Sequence, residues 1–135
     1  MKLLIFVPAR QGSKGLRDKN FKKFNGKPLI EYTFAIAKKI EKKFNASMLF
    51  FSTDSKKYLN YAKKNMHLKN DYLRPNSLAK DNSLIIDSIF HAVKWLRNKK
   101  LYFDTVIVLQ PTSPIRIFDE VKDAIQKFKK NTTLF

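Results

Sequence analysis

The sequence predicts an α/β domain built on a mostly parallel sheet, and three observations carry that prediction. Short, continuous apolar runs occur at residues 3–7, 48–51 and 106–109, and runs of that length without polar alternation read as strands buried on both faces. Between them lie segments whose apolar residues recur three and four apart, the spacing of amphipathic helices. Each run also empties directly into a polar loop. Strands alternating with helices imply right-handed crossovers, which place every post-strand loop on one edge of the sheet, where such folds bind ligands.

The bulk composition narrows the class. The 135 residues form one domain by length, enough to bury roughly two-thirds of the unfolded surface. A hydrophobic content of 44% with 12 phenylalanines excludes disorder. The absence of cysteine excludes disulfides and thiolate metal sites and fits a reducing cytoplasm. No apolar stretch approaches the roughly 18 residues of a membrane span, and the N-terminal run is too short for a signal peptide. A cytoplasmic protein is therefore expected.

A net charge of +17 attracts polyanions whatever the fold. The lysines, however, fall largely in pairs such as Lys38-Lys39, Lys42-Lys43 and Lys129-Lys130, as on solvated helix faces. Of five arginines, Arg10, Arg17, Arg74 and Arg116 lie in predicted loops. The guanidinium fork suits phosphates, carboxylates and base edges where lysine is only a point charge. No stacking platform of interleaved aromatic and basic residues accompanies the charge, so specific nucleic-acid binding is not expected.

Taken in order, the first strand ends at Pro8 and opens into Ala9-Arg10-Gln11-Gly12-Ser13-Lys14-Gly15-Leu16-Arg17-Asp18-Lys19-Asn20. Glycines for close approach, a hydroxyl and four cations suit a polyphosphate, although neither G-x-x-x-x-G-K-[ST] nor G-x-G-x-x-G is present. Asn25-Gly26 followed by Lys27-Pro28 is a turn leading into a helix. That helix turns Leu29, Thr33, Ile36, Ala37, Ile40 and Phe44 inward. After the second strand, Ser52-Thr53-Asp54-Ser55 can cap a helix from Lys56 to about Lys64. Tyr72-Leu73-Arg74-Pro75 is extended, because proline pushes its predecessor out of the helical region.

A turn-rich loop over residues 76–83 then precedes a helix from about 84 to 97, with Ile86, Ile89, Phe90, Val93 and Leu96 as its core stripe. His91 lies off that stripe without a second ligand and reads as structural. Residues 105–109 are the strongest strand, dominated by β-branched side chains, and run as a buried strand into Gln110-Pro111-Thr112-Ser113-Pro114-Ile115-Arg116. A last helix, from about 118 to 130, directs Val121, Ala124, Ile125 and Phe128 inward, with Asp119-Glu120 complementing its dipole. The Arg10, Asp54, Arg74 and Gln110 loops thus converge on one edge, a site of nucleotide size.

Five stretches together resemble the acylneuraminate cytidylyltransferase (CMP-sialic acid synthetase) family: the Ala9–Leu16 loop with Lys19-Asn20, then Gly26-Lys27-Pro28-Leu29-Ile30, Ser52-Thr53-Asp54, Arg74-Pro75 with Leu78-Ala79-Lys80-Asp81, and Leu109 through Arg116. The resemblance implies a Rossmann-like three-layer αβα fold of the nucleotide-diphospho-sugar transferase type, and a chain, 1–135, equivalent to the N-terminal nucleotide-binding half of a longer enzyme. It implies attack of a nonulosonic acid's anomeric hydroxyl on the α-phosphorus of CTP, with magnesium and a homodimer as family attributes.

By the same resemblance, Arg10, Lys19 and Gln110 are catalytic. Ala9, Arg10, Ser13, Lys14, Lys19, Asn20, Arg74, Asn82, Ser83, Gln110, Pro111, Thr112 and Ser113 bind CTP, Arg74 and the Asn82–Ser83 backbone at the cytosine. The sequence departs from the family where Arg17-Asp18 replaces a frequent proline, and in ending at Phe135, before the family's magnesium aspartates, sugar-carboxylate residues and dimer segment. No metal ligand is assigned in this chain, and CTP binding with little or no turnover is expected. The alternatives are a non-catalytic nucleotide-binding module and an enzyme of the CMP-Kdo synthetase kind.

Overall fold

The computed structural model describes residues 1–12, 18–111 and 118–132. At its centre β1 (Leu3–Pro8) is buried along its whole length. It lies between β4 (Ser47–Ser52) and β5 (Thr105–Val108), both parallel to it, in the order β4-β1-β5. The parallel sheet expected from the unbroken apolar runs is thus present. A separate two-residue hairpin, β2 (Lys23–Phe24) and β3 (Lys27–Pro28), turns at Asn25 and Gly26 with φ of 50° and 82°, the left-handed pair that Asn-Gly supplies.

Among the described residues four α-helices flank the sheet: α1 (Leu29–Lys43), α2 (Lys56–Asn65), α3 (Ile85–Asn98) and α4 (Phe118–Thr132). Alternation along β1 splits the core in two. Leu3, Ile5 and Val7 pack with Ile30, Phe34, Ala37 and Ile40 of α1, Tyr58, Leu59 and Ala62 of α2, and Ile125 of α4. Leu4 and Phe6 pack on the opposite face with Phe50, Tyr72, and Ala92 and Leu96 of α3. The result is three layers, αβα. No helix among the described residues is long and apolar enough to cross a membrane.

Three expected burial patterns are corrected. The strand β5, expected to be buried, is an edge strand whose Val106 is 36% exposed. Apolar composition alone does not distinguish a centre strand from a margin. In α3 the buried stripe is Ser88, Ala92 and Leu96, while Ile86 and Phe90 are 46% and 65% exposed. The buried positions include small residues spaced four apart, with Ile89, Val93 and Trp95 packed at its flanks. In α4, Ile125 is buried and Val121 packs against the core, but Phe128 is 53% exposed, because α4 covers the margin at β5.

Candidate functional site

Parallel strands bring Pro8 and Ala9, Ser52, and the chain after β5 to one edge of the sheet, and a cleft of about 250 Å³ opens there. Its lining includes Ala9, Arg10, Lys19, Asn20, Arg74, Ser83 and Gln110, so these expected site residues are brought together. Asn82 and Pro111 do not line it. Ser13, Lys14, Thr112 and Ser113 lie outside the described residues.

The cleft is held by polar groups at the strand ends. Arg74, only 6% exposed, donates from Nε to Ser52 Oγ at 2.9 Å, from Nη2 to the Ser52 carbonyl at 2.7 Å and from Nη1 to the Leu78 carbonyl at 3.5 Å. Its backbone N–H also donates to the Thr53 carbonyl at 2.7 Å. Burial draws the guanidinium below its ordinary pKa and Arg10 adds to this, while Asp54 and Tyr72 oppose it. An arginine nevertheless stays protonated. Arg74 therefore ties the end of β4 to the loop carrying Leu78, and its remaining N–H groups are those left for a ligand. The adjacent Tyr72, 1% exposed, shares a 2.8 Å hydrogen bond with His91 Nδ1. Burial pushes its phenol up to about 12. His91 is thus structural, as its lone position indicated.

The loop after β1 is anchored at both of its described ends. The Ala9 N–H donates to the Ser52 carbonyl at 2.9 Å, and the Gln11 N–H to Asp54 Oδ1, also at 2.9 Å. Downstream, Asn20, 7% exposed, donates from Nδ2 to the Arg10 carbonyl at 3.3 Å. Asp18 has a left-handed φ of 58° and accepts from the Tyr58 hydroxyl. Phe21 stacks on Tyr58 with ring centroids 4.1 Å apart. The aspartate that departs from the family pattern thus gives the loop a second anchor on α2. Ser55 Oγ accepts the Tyr58 N–H at 3.2 Å, the helix cap expected of that polar segment.

Sequence reasoning missed Lys80, Asp81, Leu84 and Ile85 in the lining. Lys80 and Asp81 were visible as motif residues but had no assigned contact, and Leu84 and Ile85 read as the start of a helix. Among the described residues the cleft offers four cations (Arg10, Lys19, Arg74 and Lys80), one carboxylate, an amide at Gln110 and an apolar wall. That combination can neutralise a polyphosphate and hold a flat ring against Leu84 and Ile85. It does not fit a protein-made magnesium cage. Asp54 is committed to the Gln11 N–H and Asp81 to Arg10, and among the described residues no three His, Cys, Asp or Glu side chains are grouped for a metal.

Comparison with known proteins identifies the family. Over 96% of its length, this chain is 33% identical to the CMP-N,N'-diacetyllegionaminic acid synthase of Legionella pneumophila, covering 54% of that protein. It is 32% identical over 95% of its length to the N-acylneuraminate cytidylyltransferase of Escherichia coli, covering 28% of it. With the pseudaminic acid cytidylyltransferase of Campylobacter jejuni it shares 31% identity over its whole length, covering 56%. The chain thus spans about half the length, or less, of the curated relatives it matches. The structure of CMP:2-keto-3-deoxy-manno-octonic acid synthetase complexed with CTP superposes with a TM-score of 0.72 at 22% identity, over 98% of this chain and 49% of that one. This supports the fold. The family model described as cytidylyltransferase matches residues 4–133, and the chain belongs to the cytidylyltransferase family.

Proposed function

We propose that this chain forms the CTP-binding part of an enzyme that activates a nonulosonic acid as its CMP derivative. The observation that carries the reading is the cleft itself, in which four cations and an apolar wall meet at the C-terminal ends of parallel strands. In the proposed reaction the sugar's anomeric hydroxyl oxygen bonds to the α-phosphorus of CTP and its proton passes to solvent. The bond from that phosphorus to the bridging oxygen breaks, and pyrophosphate leaves. Arg10 and Lys19 counter the charge growing on the leaving group, while Arg74 and the turn around Ser83 hold the base. Gln110 approaches the ribose and the incoming sugar. Catalysis by such positioning and charge neutralisation needs no covalent step from the protein. Magnesium enters with the triphosphate, and no residue described here is assigned to it.

The acid-sugar assignment rests on three relatives whose names specify legionaminic, neuraminic and pseudaminic acids. The homodimer and the low turnover of the chain alone belong to the same proposal. Calorimetric titration of CTP and then UTP, with magnesium at moderate salt, tests it. Saturable binding that prefers CTP is the expected outcome. Absent binding, or equal binding of both that collapses with salt, refutes it and favours a nonspecific polyanion interaction. Formation of CMP-sugar by the purified chain at rates typical of enzymes would refute the low-turnover part.

A further inference from the structure

Asp81 is the single carboxylate among the described residues lining the cleft, and it is not shared among the four cations there. Its Oδ1 accepts from Arg10 Nη1 at 2.8 Å, joining loops 71 residues apart in sequence. Both partners are presented by braced backbone. The turn bearing Asp81 closes on itself: the Lys80 N–H donates to Ser83 Oγ and the Ser83 N–H to the Lys80 carbonyl, both at 3.0 Å, and Ser83 Oγ donates to the Ser77 carbonyl at 3.3 Å. Arg10 is held through its carbonyl by Asn20 and through the next N–H by Asp54. The ion pair is thus not what builds either loop.

A guanidinium uses the same N–H groups for a carboxylate as for a phosphate. The Asp81 contact takes one of the N–H groups of that fork, so a phosphate that approaches Arg10 through Nη1 competes with Asp81 for it. The aspartate side chain is 64% exposed against 27% for Arg10, so once displaced it returns to water rather than being stranded without a partner.

We propose that Asp81 is an internal anion that occupies Arg10 while the cleft is empty and is exchanged for a phosphate of the nucleotide on binding. It is a positioning residue: it holds Arg10 at the rim and sets a lower anion affinity than the bare cation cluster has. The proposal rests on the reading of the cleft as a triphosphate site.

The test is calorimetric binding of inorganic pyrophosphate, CTP and UTP to the chain and to D81N, D81A, R10A and the double variant R10A/D81N. D71N serves as a control, because it makes the same charge change at a residue paired with Lys63 outside the cleft lining. The expected result is pyrophosphate and CTP binding tighter by about threefold to fivefold in D81N and D81A, the size an exposed ion pair commands. D71N is expected to be unchanged, and the gain to vanish when Arg10 is alanine.

Unchanged or weaker binding in D81N and D81A, or a gain that survives in R10A/D81N, overturns the exchange. A preference for CTP over UTP without any gain in D81N sinks the exchange and leaves the nucleotide reading standing. An Arg10-dependent gain for pyrophosphate with no preference for CTP does the reverse. No anion binding in any variant overturns both.

Discussion

The two margins of the sheet are finished differently. Along the free edge of β4, Glu41 Oε2 accepts the Leu49 N–H at 2.7 Å. Asn70 brackets Phe51 with contacts of 3.4 Å to its N–H and 3.5 Å to its carbonyl, and the Arg74 N–H reaches the Thr53 carbonyl at 2.7 Å. Three successive outward-facing positions are closed. At β5, pairing with β1 uses the N–H groups of Thr105 and Leu109, on the Lys2 and Phe6 carbonyls. The alternating residues Val106 and Val108 therefore direct their N–H and C=O groups away from β1, and among the described residues nothing bonds to them there. Beside that open edge runs an apolar groove of about 200 Å³ lined by Val106, Ile107, Ile125 and Phe128 among others.

The same segments that close the β4 margin also carry the cleft. Arg74 both caps Thr53 and lines the site, and Asp54, two residues beyond β4, fixes Gln11 in the first loop. Satisfied buried polar groups of this kind rigidify what they join, so the β4 half of the cleft is formed before any ligand arrives. The β5 half, at Gln110, stands on the margin where the sheet can still be extended, since an unpaired strand edge is a template for another strand.

Truncation of a large side chain at the closed margin provides the strongest test of this asymmetry. Phe50 of β4 is fully buried, stacks on Phe6 at 6.1 Å and meets Tyr72 and Trp95. Phe50→Ala is expected to cost about 3–5 kcal/mol in urea unfolding.

Arg74→Ala comes next. It removes the donor to the Ser52 hydroxyl and one of the two donors to the Ser52 carbonyl, which keeps the Ala9 N–H, and is expected to cost about 1–3 kcal/mol in the same measurement. Arg74→Lys recovers only part of this, because a single ammonium cannot reproduce the fork. Equal stability of the alanine and arginine chains would show that the β4 margin does not depend on this brace. At the open margin Val106→Thr is expected to change stability by less than about 1 kcal/mol. A loss comparable with that of Phe50→Ala would mean that β5 is buried in solution and would remove the contrast.

Element type and order were legible in the local pattern. The unbroken run at residues 3–7 became the central strand, and Ser55 caps α2 as its position before Lys56 indicated. Asn25-Gly26 turns with positive φ because those residues reach that region at low cost. The strand-end placement of Arg10 and Gln110 was enough to bring them to one cleft, since parallel strands leave no other edge for their loops, whereas Arg74 follows no strand and is held there by its bonds to Ser52 and Thr53. The buried stripe of α3 was not legible. Ser88 and Ala92 carry little hydrophobic signal, whereas Phe90, which carries much, faces outward.

The sequence by itself determined the strand and helix alternation, the edge on which the polar loops meet and the cationic character of their site, because each follows from local periodicity and chain direction. Tertiary structure alone decided which strand became the margin, which face of α3 is buried, and which partner each charge takes. Asp81 and Arg10, Asp54 and Gln11, and Arg74 and Ser52 are paired across long sequence separations. Such pairings depend on where packing brings the loops, information that no short window of residues contains.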